Sequence, residues 1–157
     1  MKVNRSTMVA WAAGFIDGEG SISLNVGSPG HAQRRHPGQM KLFLTATNTV
    51  REPLERLVEI FGGHINLLKG RTEKHREVFS WRQTNSKALD TIRELQPLMT
   101  TRGEQAKVAE EFMVGMTGTT WGPTGMPDWE IDRRVRLKQR MQALNRRGPG
   151  RIEVGAT

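Results

Sequence analysis

The stretch from Met8 to Leu24, MVAWAAGFIDGEGSISL, constrains this chain more than any other. It opens with helical spacing and ends in Asp17-Gly18-Glu19-Gly20, so two carboxylates stand at the negative end of a helix dipole, where acids are ordinarily disfavoured. On a helical wheel Met8, Trp11, Ala12 and Phe15 share one side, with Val9 and Ile16 flanking them. The remaining sector holds Ala10, Ala13, Gly14 and Asp17, and no large apolar side chain. A helix that is apolar nearly all round implies burial on both sides. The side bearing Trp11 and Phe15 is expected to pack on the protein's own sheet. The small residues let a second backbone come close. That backbone belongs either to another element of the same chain or to the same strip of a second copy, in a two-fold interface.

The acids bear on this choice. Two crossing copies of the helix would bring both Glu19 side chains into one region, where they repel each other and the helix dipoles. Divalent cations reverse that penalty. Magnesium (Mg2+) takes oxygen ligands, uses few carboxylates and fills its shell with water and phosphate oxygens. A shared metal site accounts for the misplaced acids.

Charge points to the partner. Lys and Arg number 24 against 16 Asp and Glu, a net +8 over 157 residues. Such a surplus favours a polyanion, nucleic acid before anionic membrane. No apolar run approaches the roughly 20 residues of a membrane span, and the opening MKVNRSTM lacks the apolar stretch of a secretory signal. There is no cysteine, which excludes disulfides, thiolate metal sites and cysteine nucleophiles. An intracellular location, in the cytoplasm, the nucleoid or an organelle, is expected; a membrane partner or a small-molecule cofactor is not. His31, His36, His64 and His75 are scattered without metal-ligand spacing.

The remaining chain reads as alternating helices and hairpins. Ser6 or Thr7 is expected to cap the first helix, which runs to about Asp17. SISLNV alternates apolar and polar residues like a half-buried strand and pairs with KLFLTATN (41–48) across a basic loop. Pro53 and Gly62-Gly63 bracket a second helix. HINLLK and VFSWRQT form a second hairpin, followed by a helix capped at Ser86, another over GEQAKVAEEFMVGM, and a strongly basic one from Trp129 to about Asn145. The fold class is α+β, an antiparallel sheet with helices on one side. A single domain spans 1–157, with a core of about 6–117 and a basic helical extension over 118–157.

AAGFIDGEG (12–20) resembles the LAGLIDADG motif of homing endonucleases, and Trp11 and Ser21-Ile22 extend the likeness. The departures, Ala12, Phe15, Gly18 and Glu19, keep small residues small and acids acidic. The order of elements over roughly 8–115 is similar to that family's αββαββα core, and LQPLMTTRGEQA (95–106) resembles the stretch before its late helix. With a single motif, the chain resembles the class that acts as a homodimer. The resemblance implies motif helices at the central interface and two sheets that saddle a long, pseudo-palindromic duplex DNA site. The cut would cross the minor groove and leave 3′ overhangs.

The resemblance also implies roles. Glu19 is the magnesium ligand, with the Gly18 carbonyl as a further donor. Asp17, whose wheel position faces the small strip with Ala10, Ala13 and Gly14, is expected to accept hydrogen bonds at the interface rather than ligate the metal directly. Asn48 and Arg102 match polar and basic positions that organise water; read from the residues alone, Asn48 serves equally as a turn residue and Arg102 as a surface charge. DNA contacts are expected from the strand residues Ser21, Ser23, Asn25, Lys41, Arg82 and Thr84. Loop contacts are expected from Arg34, Arg35, Lys69, Arg71, Lys74 and Arg76. Arg133, Arg134, Arg136, Lys138 and Arg140 either follow phosphates or solubilise the last helix. The same fold also resembles RNA-binding intron maturases and non-cleaving regulators, and a catalytically idle basic scaffold is the third class.

Overall fold

A computed structural model describes residues 2–26, 40–68, 77–116 and 125–147. The elements are α1 (Arg5–Glu19), β1 (Gly20–Val26), β2 (Met40–Asn48), α2 (Glu52–Phe61), β3 (His64–Leu68), β4 (Val78–Thr84), α3 (Asn85–Leu95), a short 3-10 turn (Gln96–Leu98), α4 (Gly103–Val114) and α5 (Asp128–Arg147). The strands form one antiparallel sheet in the order β1-β2-β4-β3, so the two expected hairpins join through β2 and β4. The architecture is α+β, as the alternation implied.

Alternation also decides which sheet face is covered. Ile22, Leu24, Leu42, Leu44, Ala46 and Trp81 are fully buried and share the face that carries the helices. Against them pack Ile16 of α1, Leu54 and Leu57 of α2, Ile92 and Leu95 of α3, and Val108 and Phe112 of α4. The polar residues on this side are satisfied. Gln83 donates to the Phe61 carbonyl at 2.8 Å and accepts from Thr91 Oγ1 at 2.6 Å. Trp81 Nε1 donates to the Gly62 carbonyl at 2.8 Å. These bonds occupy carbonyls that the end of α2 leaves without helical partners. Gly63, at φ +95°, is where the chain leaves α2, and a Cβ there would lie 2.7 Å from Trp81 Nε1.

Three expectations are corrected. The cap of α1 is Asn4, whose Oδ1 accepts the Thr7 N–H at 2.8 Å; a residue two positions earlier than Ser6 reaches the free amides. Thr84 rather than Ser86 precedes α3, because Asn85, at φ +49°, turns its side chain back to accept the Leu42 N–H at 3.1 Å. The buried side of α1 is Val9, Ala12, Ala13 and Ile16. Trp11 and Phe15 lie at its half-buried flank, their rings stacked at 5.3 Å. Close packing of α1 on the core needs its small and branched residues, and that leaves the two rings to the side.

The basic helix α5 is docked as well as charged. Leu137 and Met141 enter the core. Glu130, 1% exposed, accepts from Arg133 Nε at 2.7 Å and Arg134 Nε at 2.9 Å, while Arg133 also donates to the Glu111 carbonyl. Asn145 Nδ2 donates to the Ile22 carbonyl at 2.9 Å, so α5 covers the open edge of β1. Arg140 pairs with Glu111 at 3.2 Å. Arg133, Arg134 and Arg140 are thus engaged within the chain. The hydrogen bond from Arg133, against opposing burial and with help from Arg134, holds the Glu130 carboxyl below its ordinary range. Glu130→Gln leaves two arginines poorly compensated in a buried site and should lower stability by about 3 kcal/mol. Chemical denaturation checks this.

Candidate functional site

The end of α1 organises the site. Gly20 is buried and donates its N–H to the Ile16 carbonyl; a Cβ there would lie 2.6 Å from that oxygen. Only glycine permits so close an approach, and β1 therefore begins one residue after Glu19. Glu19 is exposed, and its side chain forms no hydrogen bond or ion pair with another described residue. It projects at the negative end of α1, whose last turn holds no basic residue. Among the described residues no three His, Cys, Asp or Glu side chains gather in a group able to hold a metal ion.

Asp17 faces the other way. Its carboxylate accepts the backbone N–H groups of Thr100 and Thr101 at 2.7 and 3.1 Å, and their hydroxyls at 3.0 and 2.9 Å. The hydrogen bonds expected at an interface between copies are instead made inside the chain. Their effect is positional: Thr101 precedes Arg102, so Asp17 fastens Arg102 to the same end of α1 as Glu19. Arg102 is half-buried, and its Nε is enclosed without a hydrogen-bond partner among the described residues. Asn48, at the end of β2, accepts the Val50 N–H at 2.8 Å and so makes the turn that the residues alone suggested.

Ala10, Gly14 and Gly18 recur every fourth residue along α1, and all three are exposed. A Cβ on Gly14 or Gly18 would meet nothing within 4 Å. Ala13, expected in this strip, is 1% exposed and belongs to the chain's own core. The uncovered seam is therefore Ala10–Gly14–Gly18, bordered by Trp11 with the Arg56 guanidinium 5.6 Å above its ring.

The sheet face away from the helices brings six predicted strand residues together. Register places Ser21, Thr45, Arg82 and His64 in one row across all four strands. Ser23, Phe43 and Thr84 form the next row, and Asn25 pairs with Lys41 beyond it. On the other side Thr47, Ser80 and Asn66 form a row. Thr45, Thr47, Ser80, Asn66, His64 and Phe43 were not among the contacts expected from sequence, although the alternation of KLFLTATN already set Phe43, Thr45 and Thr47 on the side of Lys41. Arg34, Arg35, Lys69, Arg71, Lys74 and Arg76 lie outside the described residues.

Burial alone would raise the Asp17 pKa, but the hydrogen bonds from Thr100 and Thr101 outweigh it and hold the carboxyl below its ordinary value. A depressed folded pKa gives stability that is full above the unfolded value, about 4, and is lost as pH falls through the lower folded one. Asp17→Asn should therefore be less stable than wild type near neutrality and lose less on acidification. Denaturation midpoints measured across that range check it.

No family model matches this sequence, and no curated protein matches it. Solved structures do. The archaeal intron-encoded homing endonuclease I-Vdi141I, complexed with DNA, superposes with a TM-score of 0.70 at 19% identity, over 96% of this chain and 91% of that one. The homing endonuclease I-CvuI, in complex with its target in the presence of calcium, gives 0.68 at 17% identity over 97% and 88%. The I-LtrWI LAGLIDADG homing endonuclease, bound to target DNA, gives 0.61 at 18% identity over 88% of this chain but 44% of its own. An exposed acid at the end of a small-residue helix, beside an uncovered polar sheet face, is thus set in the fold of the LAGLIDADG homing endonucleases.

Proposed function

We propose that this protein is a site-specific endonuclease of double-stranded DNA that works as a homodimer. One observation carries the reading: Glu19 stands exposed, and unpaired among the described residues, where the uncovered seam of α1 meets the polar face of the sheet. Two copies meeting along Ala10, Gly14 and Gly18 each contribute one Glu19. Each also contributes one sheet face to a long, roughly two-fold DNA site. That site is cut across the minor groove to leave 3′ overhangs.

The donor set suits magnesium. The Glu19 carboxylate is a hard, exposed oxygen ligand, and the Gly18 carbonyl is among the last four of α1, which lack helical partners. Both stand at a helix end that disfavours an unpaired anion and favours a cation. When bound, the ion neutralises charge on the scissile phosphate and makes a bound water more acidic. The chain's own groups do the rest. Arg102, kept at this end of α1 by the Thr101–Asp17 bond, presents guanidinium donors that stabilise negative charge or order water. Asn48, whose Oδ1 is committed to its turn, has an amide NH2 with which to orient a water. Ser21, Ser23, Asn25, Lys41, Arg82 and Thr84 present donors and acceptors at every second position, the spacing with which a ribbon reads base edges in a major groove.

Two tests bear on this. Incubated with a randomised duplex library and magnesium, wild type should cut a small set of sequences with 3′ overhangs. Glu19→Gln should bind the same set and cut it at least about a hundredfold more slowly. Binding without cleavage by both proteins would replace the nuclease by a regulator, or by a maturase if RNA is bound instead. Separately, Gly14 is exposed and a Cβ there meets nothing within 4 Å, so Gly14→Leu puts bulk on the seam while improving helix propensity. It should keep the circular dichroism spectrum yet sediment as a monomer where wild type sediments as a dimer.

A further inference from the structure

Phe43 is out of place on the uncovered sheet face. Its neighbours in register are polar, yet it is only 9% exposed, because Arg82 lies over it with the guanidinium carbon 5.1 Å from the ring centre. Phe43 pairs with Thr84 and Arg82 with Thr45, so the two are diagonal neighbours on one face. Arg82 Nε is enclosed and has no hydrogen-bond partner among the described residues. Nor does Arg82 pair with a described carboxylate. This is a cation held flat on an aromatic ring, in an inner strand of the sheet, with its Nε edge closed off.

We propose that Phe43 and Arg82 form a preorganised reader of a guanine base, and so determine specificity at one position of each half-site. The proposal rests on the nuclease reading above and adds to it. A ring beneath the guanidinium limits its rotamers before DNA arrives, so less freedom is lost on binding. With Nε closed off, the terminal Nη groups remain as a two-donor fork. In the major groove guanine alone presents two adjacent acceptors, O6 and N7, that match such a fork. Position separates this role from a phosphate contact. Arg82 lies in β4, between β2 and β3, away from both sheet edges, where a docked ribbon meets the groove floor rather than the backbones at its rims.

The test uses the full chain and duplexes carrying every single base-pair change of the site that wild type selects, with binding measured at several salt concentrations. Wild type should prefer guanine at one symmetry-related pair of positions by about ten- to a hundredfold. Arg82→Lys keeps the charge and loses the fork; preference should disappear at that pair alone, with the salt dependence unchanged. Phe43→Leu keeps Arg82 and removes the ring, and should weaken the same preference several-fold and no other. An Arg82→Lys protein that binds every duplex more weakly, with the same base preferences as wild type, makes Arg82 a phosphate contact and overturns the proposal while leaving the nuclease reading intact. A wild type that selects no duplex sequence overturns both.

Discussion

The contact between the Gly20 backbone and the Ile16 carbonyl underlies the arrangement at the end of α1. Because nothing larger than hydrogen fits on Gly20, the helix passes into β1 without a loop, and four successive residues take different roles. Asp17 turns inward to Thr100 and Thr101, Gly18 extends the exposed seam, Glu19 projects at the helix end, and Gly20 is buried. The strand that follows carries Ser21 and Ser23 onto the open sheet face. The acid, the seam and the polar face are therefore adjacent by covalent geometry. An inserted loop would uncouple the position of Glu19 from the sheet.

The two acids that look equivalent in sequence have opposite fates. Asp17 is saturated with hydrogen bonds from groups more than 80 positions away, while Glu19 has none with a described residue. A carboxylate with four donors is a fastening. One at an exposed helix C-terminus meets the negative end of the helix dipole, a mildly unfavourable place for an anion. The fastening holds Thr101, and hence Arg102, at the helix end from which Glu19 projects.

The positive surplus does not map simply onto the open face. Arg5 pairs with Glu94, Arg93 with Glu110, Arg140 with Glu111, and Arg133 and Arg134 share Glu130. The exposed pairs contribute little to stability, but the buried Glu130 group fixes α5, which covers the β1 edge. On the open face the described residues are mostly hydroxyls and amides, with Lys41 and Arg82 as cations.

Strand alternation, the helical run ending in acids, and the glycines that stop α1 and α2 are local patterns, and each was readable from neighbouring residues alone. They sufficed for the α+β class, the order of elements, and the shared face of Ser21, Ser23, Asn25, Lys41, Arg82 and Thr84. What lay beyond them depends on contacts between segments far apart in the chain. Periodicity on a wheel marks a sector as small but not what covers it, so Ala13 fell into the core while Ala10, Gly14 and Gly18 stayed open. Residue type marks an arginine as charged but not whether its partner is Glu130 or a phosphate. Sequence determined which side chains share a face; tertiary structure decided which of them are already satisfied, because hydrogen bonds and ring contacts require atoms within a few ångströms and local spacing does not encode that distance.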